Sequence, residues 1–160
     1  MNKQTVIALV VLALFGGVFA AKALTQGDTV DGATSGPGVV AEGVADGSIT
    51  SVRNDAVADY DAALASGKPV YVLFHSLSCQ PCVEISAVAD QVIPEYEGEV
   101  VFVNAITDDP AGSQLAAKFS FQYIPTSFFL APDGQVLAEY TGAMDGAMMR
   151  GYLDELVAGQ

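Results

Sequence analysis

The sequence predicts an α/β domain in which helices flank both faces of a central mixed β-sheet. Three observations carry this prediction: short apolar segments typical of buried strands, amphipathic segments that alternate with them, and a turn motif that joins two strands before a last helix. A strand–helix–strand unit pairs its strands in parallel, whereas a hairpin pairs them antiparallel. The sheet is therefore expected to contain both kinds of pairing.

Local signals place the elements in order along the chain. Gly67 ends the first helix, and the apolar, β-branched segment after it is typical of a central strand. Pro81 suits the first turn of the next helix, and Pro94 is expected to kink or end it. Pro132-Asp133-Gly134 is the turn of the hairpin. The predicted helices are 55–66, 80–97, 111–119 and 144–157, and the predicted strands are 70–74, 100–103, 126–130 and 136–140.

The composition of this 160-residue chain excludes some functional classes. Nineteen Asp and Glu outnumber six Lys and Arg, so the formal net charge is −13. This charge argues against nucleic-acid binding, which needs cations to neutralise phosphates, and against docking through a basic surface on anionic lipid. Two cysteines are too few for a disulfide scaffold, so the pair is either one structural bridge or a reactive site.

The N-terminal segment has the features of an export signal at residues 1–23. Lys3 precedes an uncharged, mainly apolar run at residues 4–21, and Ala21-Lys22-Ala23 offers a cleavage site. The 18 residues of this run are also just long enough for a membrane-spanning helix. A cleaved signal and a retained anchor both remain open, and we favour the anchor. Either one predicts that the domain lies outside the cytoplasm, in the periplasm or at the cell surface, and the anchor would tether it to the membrane.

Residues 24–51 have the composition of a flexible, Gly-rich linker, and we assign residues 52–160 to the folded domain. Within the end of the linker, Ile49 to Val52 are a candidate for a short edge strand.

The motif that carries chemistry is Cys79-Gln80-Pro81-Cys82, which follows a predicted central strand and opens a helix. The positive end of a helix dipole stabilises a thiolate, so Cys79 is expected to be the exposed nucleophile. Cys82, one turn into the helix, is expected to be the more buried thiol that resolves the mixed disulfide. Both are therefore the candidate catalytic residues.

A structural disulfide and a metal site remain open as other interpretations of this motif. A structural disulfide normally closes a longer loop than this one, and a zinc site needs about four ligands where the chain has one His and two Cys. A copper site is harder to exclude, because His75 precedes Cys79 by four residues and thiolates favour Cu(I). Redox chemistry remains the favoured interpretation, and we predict no metal site.

Four features together resemble the thioredoxin family over residues 55–157. A central strand leads into the Cys79–Cys82 motif, Ile124-Pro125-Thr126 matches the signature turn of the family, Pro132-Asp133-Gly134 falls at its hairpin, and Gly142 falls at the glycine before its final helix. The resemblance implies the thioredoxin-like fold and thiol–disulfide exchange with protein clients and a redox partner. Because the dithiol is the redox centre, no tightly bound cofactor is required.

The resemblance also implies roles for Ile124 and Pro125. In the family this proline is cis and packs against the cysteine pair. The backbone of the preceding residue is then free to pair with an extended substrate, as an added strand would. Ile124 and Pro125 are therefore the candidate substrate-binding residues.

The sequence departs from the family pattern at several positions. Ser78 replaces the usual tryptophan before the first cysteine, and the family's buried aspartate falls at Leu73. His75 is close enough in sequence to serve as a proton relay, although a hydrogen-bonded histidine at the end of a strand is the more common situation.

Several aromatic and methionine residues near the C-terminal half have the spacing of core positions, and we interpret most of them as core. They are Phe119, Phe121, Tyr123, Phe128, Phe129, Met144, Met148 and Met149.

The sequence thus predicts an exported, membrane-tethered thiol–disulfide oxidoreductase that acts on extracytoplasmic proteins. The alternatives are a client-specific reductant in cytochrome c maturation and a non-enzymatic copper-handling protein that uses Cys79, Cys82 and His75.

Overall fold

The computed structural model describes residues 48–159, and its elements follow the predicted order. The helices are α1 (Ala56–Ala65), α2 (Gln80–Val92), α3 (Pro110–Ala116) and α4 (Gly146–Ala158), with a 3₁₀ helix at Ile93–Tyr96. The strands are β1 (Val70–His75), β2 (Val101–Ile106), β3 (Thr126–Leu130) and β4 (Val136–Thr141). The predicted signal or anchor at 1–23 and most of the predicted linker, 24–47, lie outside the described residues.

The four strands form one mixed sheet in the order β2-β1-β3-β4. β1 pairs in parallel with β2 and antiparallel with β3, and β3 and β4 form the antiparallel hairpin. β1, the strand that leads to the cysteines, is central, and all six of its residues are buried. The predicted fold class is confirmed.

Helices cover both faces of this sheet. On one face, Leu73 of β1 packs in an apolar cluster with Ile85 of α2 and Leu153 of α4. On the other face, Phe74 lies in a second cluster with residues of α1 and α3, among them Leu115. Because side chains of a strand alternate between faces, odd-numbered residues of β1 face α2 and even-numbered residues face α1.

Pro94 ends α2 as the sequence predicts. The α-helix runs to Val92 and gives way to the 3₁₀ helix that contains the proline. At the other end, Cys79 is the N-cap residue and Pro81 lies in the first turn, where its missing N–H costs no hydrogen bond.

Two predicted boundaries are wrong by three residues. β2 extends to Ile106 instead of ending at residue 103, and it pairs Asn104 with Leu73. The polar Asn104 interrupts the apolar run on which the prediction depended. α3 ends at Ala116 instead of residue 119, because the chain tightens into a turn in which the N–H of Phe119 donates to the carbonyl of Ala116 at 3.0 Å.

The predicted edge strand at Ile49 to Val52 is wrong, because this segment forms a turn. Thr50 is buried, and its N–H and Oγ1 donate to the two carboxylate oxygens of Asp90 at 2.9 and 3.2 Å. Asn104 Nδ2 donates to the carbonyls of Thr50 and Val52 at 3.0 and 2.9 Å. Residues 48–51, which composition assigns to the linker, are therefore packed on the domain.

A glycine brings α3 close to the end of β2. A Cβ atom at Gly112 would lie 2.0 Å from the carbonyl oxygen of Ile106, so a larger residue would push helix and strand apart. This close approach fixes the loop between β2 and α3, which carries Asp108 to the edge of the sheet where the cysteines lie.

Candidate active site at the Cys79–Cys82 pair

Three segments meet at one edge of the sheet to form the site. β1 ends at His75, and Cys79 follows four residues later at the N-terminus of α2. β3 begins at Thr126, which pairs with Phe74 near the end of β1. This register brings Pro125, the residue before β3, to the edge at which the cysteine loop leaves the sheet.

Cys79 and Cys82 form a disulfide with an S–S distance of 1.95 Å. Cys79 is partly exposed, whereas Cys82 is fully buried. The backbone N–H of Cys82 donates to Cys79 Sγ at 3.2 Å, so the sulfur of Cys79 takes the place of a helix-capping group. Its position at the positive end of the α2 dipole favours a thiolate when the pair is reduced. The assigned roles of nucleophile and resolving thiol stay a prediction.

The loop between β1 and Cys79 is held by Asp108. Ser76 Oγ donates to Asp108 Oδ2 at 2.6 Å, and the N–H of Leu77 donates to the same oxygen at 3.3 Å. The N–H of Ser78 donates to Ser76 Oγ at 3.2 Å, and the N–H of Thr107 donates to the carbonyl of His75 at 2.8 Å. These hydrogen bonds hold residues 76–78, the segment between β1 and Cys79, in place.

His75 is fully buried, and its ring is hydrogen-bonded to side chains other than the cysteines. Its Nε2 lies 2.7 Å from Asn104 Oδ1, and its Nδ1 lies 3.3 Å from Ser86 Oγ. Burial lowers the pKa of His75 below 6.5, while the hydrogen bond with Asn104 and the charges of Asp90 and Asp108 act in the opposite direction. The ring is therefore neutral near pH 7. A proton-relay role remains a prediction.

Leu73 occupies the position of the family's buried aspartate and is part of the apolar core. It is fully buried in the cluster that contains Ile85 and Ala89. No carboxylate therefore lies at this position of β1.

The Ile124–Pro125 peptide bond is cis, as the resemblance implies. Pro125 is buried, and its carbonyl accepts from the N–H of Gly142 at 2.8 Å. Ile124 lies before β3, in neither a helix nor a strand. Within residues 48–159, its backbone N–H and carbonyl make no hydrogen bond with another backbone group. Substrate binding by these two residues stays a prediction.

An exposed apolar rim lies on the three segments that make the site: Leu77, Val83 and Tyr123. Their exposed fractions are 39%, 49% and 70%. Tyr123 and Met148 are thus exceptions to the core interpretation of the aromatic and methionine residues. Beside the rim is a groove of about 310 Å³ whose walls include Leu77, Val83 and the turn at Ser51.

Sequence reasoning missed the polar residues around His75. They are Thr50, Ser86, Asp90 and Asn104, which are linked to it directly or through one another. The available signal was Asn104, a lone amide in an otherwise apolar strand segment. Nothing local distinguishes Thr50, Ser86 or Asp90 from solvent-exposed polar residues.

The geometry gives no support to the copper alternative. Within residues 48–159, no group of three or more His, Cys, Asp and Glu side chains is arranged to hold a metal ion. Both ring nitrogens of His75 are already hydrogen-bonded to Asn104 and Ser86.

None of the helices within residues 48–159 has both the length and the hydropathy needed to cross a bilayer. The candidate anchor at 4–21 lies outside this range.

A family described as "Thioredoxin-like domain" matches residues 57–156, well over half of the chain. The chain belongs to this thioredoxin-like family. Thioredoxin of Haemophilus influenzae is 29% identical over 99 residues, which cover 61% of this chain and 90% of that protein. Thioredoxin 1 of a Nostoc species is 32% identical over 81 residues, which cover 51% and 73% of the two chains.

The fold of this thioredoxin-like domain is also found in a solved relative. The crystal structure of mitochondrial thioredoxin 3 from Saccharomyces cerevisiae, in its oxidized form, matches with a TM-score of 0.51 and 22% sequence identity. The match covers 61% of this chain and 88% of that chain. Family membership and the disulfide-forming pair together make the protein a thiol–disulfide oxidoreductase, and its substrates are protein thiols and disulfides.

Proposed function

We propose that the protein exchanges disulfides with client proteins outside the cytoplasm through Cys79-Gln80-Pro81-Cys82 while residues 4–21 tether it to a membrane. One observation carries the chemical part: Cys79 is partly exposed at the N-terminus of α2 and is bonded to a fully buried Cys82. The export part is supported by the charged start and apolar run of the N-terminal sequence.

Exchange begins at Cys79, the thiol that a client can reach. In the reducing direction, the Cys79 thiolate attacks one sulfur of a client disulfide, the client S–S bond breaks, and the released client thiolate takes up a proton. A mixed disulfide between Cys79 and the client results.

Cys82 completes the exchange. It loses its proton and attacks Cys79 Sγ, and the bond between Cys79 and the client breaks. The Cys79–Cys82 disulfide forms as the second client sulfur leaves as a thiolate and takes up a proton. Two electrons have then passed from the dithiol to the client. The oxidising direction is the reverse, and a redox partner with its own dithiol or disulfide restores the starting state.

The client is held by the exposed surface around Cys79. The apolar rim of Leu77, Val83 and Tyr123 offers contact area on all three segments of the site. The backbone N–H and carbonyl of Ile124 have no backbone hydrogen-bond partner within residues 48–159. They pair with an extended client segment, which is added as a strand.

His75 serves as the group that receives a proton from Cys82. It lies on the face of β1 that packs against α2, the helix that carries Cys82, and Leu73 leaves no carboxylate on β1 for this purpose. A neutral histidine is able to accept a proton, whereas an imidazolium is not.

Trapping of mixed disulfides in cells tests the proposal. The full chain is expressed in a bacterium with a periplasm, and Cys82→Ser is expected to accumulate client proteins as mixed disulfides that a reductant releases. Cys79→Ser is expected to trap none, because the remaining thiol is buried. Equal trapping by the two variants, or by neither under oxidising challenge, would reject the assigned roles.

The location is tested in the same cells. After mild reduction of the Cys79–Cys82 disulfide, a membrane-impermeant thiol reagent is expected to label Cys79 of the full chain in intact cells. A chain without residues 4–21 is expected to be labelled only after lysis. Labelling only after lysis for both chains, with cytoplasmic proteins as the trapped clients, would contradict the extracytoplasmic proposal.

A further inference from the structure

A chain of hydrogen-bonded polar side chains runs from the half-buried Ser86 of α2, through the buried His75 and Asn104, to the turn at residues 49–51. Ser86 Oγ lies 3.3 Å from His75 Nδ1, and His75 Nε2 lies 2.7 Å from Asn104 Oδ1. Asn104 Nδ2 then reaches the carbonyls of Thr50 and Val52. Asn104 is 5% exposed and His75 is fully buried, so these bonds replace water as the partners of both side chains.

The two carbonyls fix the orientation of the Asn104 amide. Only the NH₂ group donates, so Nδ2 must face the carbonyls of Thr50 and Val52, and Oδ1 must face His75. An oxygen that only accepts requires a proton on Nε2 of the ring. The neutral ring therefore carries its proton on Nε2, and its Nδ1 is an acceptor for the hydroxyl of Ser86.

Nδ1, the unprotonated nitrogen of this tautomer, faces α2, the helix that carries Cys82. His75 follows Tyr71 and Leu73 on the face of β1 that packs against α2. Cys82 and Ser86 are four residues apart on α2, a spacing that places side chains on the same side of a helix one turn apart. Cys82 is itself fully buried, so its proton has no direct access to solvent.

We propose that Asn104 is a positioning residue for thiol–disulfide exchange, because it holds His75 in the tautomer whose Nδ1 accepts the Cys82 proton through the Ser86 hydroxyl. The inference rests on the proposed proton-accepting role of His75. The Cys82 S–H gives its proton to Ser86 Oγ while the Ser86 O–H passes its own proton to Nδ1. A thiolate and an imidazolium result, and the imidazolium still donates from Nε2 to Asn104 Oδ1. The reverse path returns the proton when the disulfide is reduced.

Other charged groups face the ring and bear on its pH dependence. Asp90 approaches from α2 and Asp108 from the loop after β2, and both favour the imidazolium. Burial acts against it and is the largest influence, which keeps the pKa of His75 below 6.5 and Nδ1 free at neutral pH. Tyr71, the other titratable group on this face of β1, is hydrogen-bonded to Ser127 at 3.2 Å.

The tautomer is measured directly, because His75 is the single histidine of the chain. In the full chain labelled with ¹⁵N-histidine and made without a histidine tag, the nitrogen spectrum is expected to show a protonated Nε2 and a bare Nδ1 at neutral pH. A bare Nε2 in the wild-type protein would overturn the proposal whatever any variant does.

The effect on chemistry is measured with one equivalent of an aromatic disulfide, dithiobis(nitrobenzoate), added to the reduced full chain. The first thionitrobenzoate released reports attack by Cys79, and the second reports closure by Cys82. Asn104→Leu is expected to slow the second release about tenfold near neutral pH, since a positioned proton acceptor contributes about a hundredfold or more. The first release is expected to change less than about twofold, because it reports attack by Cys79 and does not depend on proton transfer from Cys82 to His75.

Matched variants separate this role from a structural one. Ser86→Ala is expected to slow the second release like Asn104→Leu, and Ser113→Ala, an exposed serine on α3, is expected to leave both releases unchanged. In a His75→Gln background, Asn104→Leu is expected to have no further effect on the second release.

The outcomes distinguish failure of this inference from failure of the function itself. Absence of both releases in the wild-type protein rejects the exchange chemistry. Normal releases in wild type together with an unchanged second release in Ser86→Ala reject the proton path. If Asn104→Leu does not fold cooperatively, the histidine spectrum and Ser86→Ala still decide the matter.

Discussion

The two faces of β1 come from alternate residues of one strand, yet they differ in chemistry. The face toward α1 and α3 is apolar along its whole length, with Val70, Val72 and Phe74 fully buried in one cluster. The face toward α2 and α4 is apolar at Leu73 and becomes polar at His75, which is equally buried but fully hydrogen-bonded.

The comparison shows that two consecutive residues of one strand have different roles. Phe74 contributes to the stability of the fold, and His75 lies on the side of the cysteine chemistry. The Phe74 ring lies 5.0, 4.7 and 5.8 Å from the ring centroids of Phe119, Phe121 and Phe128. Such aromatic contact stabilises the fold but offers no proton acceptor. His75, one residue later, is at the same edge of the sheet but on the side of α2, where Cys82 is buried.

The largest expected effect is on the apolar face. Phe74→Ala is expected to lower the free energy of unfolding by about 3–5 kcal/mol, because a fully buried ring leaves a cavity among three other rings. Urea denaturation of the reduced and oxidised protein measures this loss. If the two faces divide their roles, the reduction potential of the variant equals that of wild type under conditions in which both are folded.

Leu137→Ala is the control for this prediction. Leu137 is 51% exposed on β4, so its truncation is expected to cost less than about 0.5 kcal/mol. A Phe74→Ala variant as stable as the control, or a folded variant with an altered reduction potential, would contradict the separate roles of the two faces.

A smaller effect is expected on the polar face, and it depends on pH. The pKa of His75 is lowered in the folded protein, chiefly by burial, whereas the unfolded chain has the ordinary value of 6.5. Between the two values the unfolded state binds more protons, so the free energy of unfolding falls as the pH drops below about 6.5. The contribution of His75 is fully present above that pH.

His75→Gln is expected to reduce this dependence. Urea denaturation between about pH 7.5 and 5.5 should show a shallower loss of stability in the variant, since carboxylates titrate mainly below this window. Phe74→Leu serves as the matched control and is expected to keep the wild-type slope. An identical slope in His75→Gln and wild type would show that the buried ring does not titrate as the structure requires.

The local parts of this fold and site were predictable from the sequence. The apolar segment that becomes β1, the Cys79–Cys82 motif and the effect of Pro94 depend on neighbours within one or two turns. A resemblance carried by Ile124-Pro125-Thr126 then supplied the cis-proline turn that precedes β3. Short-range patterns determine such features because propensity and spacing act over a few residues.

The polar environment of His75 was not predictable in this way. Its partner Asn104 is 29 residues away, and Asn104 binds a carbonyl at Thr50, 54 residues away. Polar residues at such separations are brought together by the packing of β2 and the N-terminal turn, which no local pattern encodes. The exposure of Tyr123 was missed for the same reason, because aromatic spacing does not show where the sheet ends.

The smallest expected effect tests the charge that faces His75 from outside the sheet. Asp108 holds Ser76 and Leu77, and its charge acts to raise the pKa of His75 against the larger effect of burial. Asp108→Asn keeps a neutral acceptor for Ser76, so the free energy of unfolding is expected to fall by only about 0.5–1.5 kcal/mol. The pKa of His75 is expected to fall further, measured by the ¹⁵N spectrum of the single histidine across the pH range.

Asp61→Asn, which removes an exposed charge on α1 paired with Lys118, is the matched control and is expected to leave that pKa unchanged. A rise in the pKa of His75 in Asp108→Asn, or an equal shift in both variants, would mean that the polar end of this face is not governed by the groups that surround the ring.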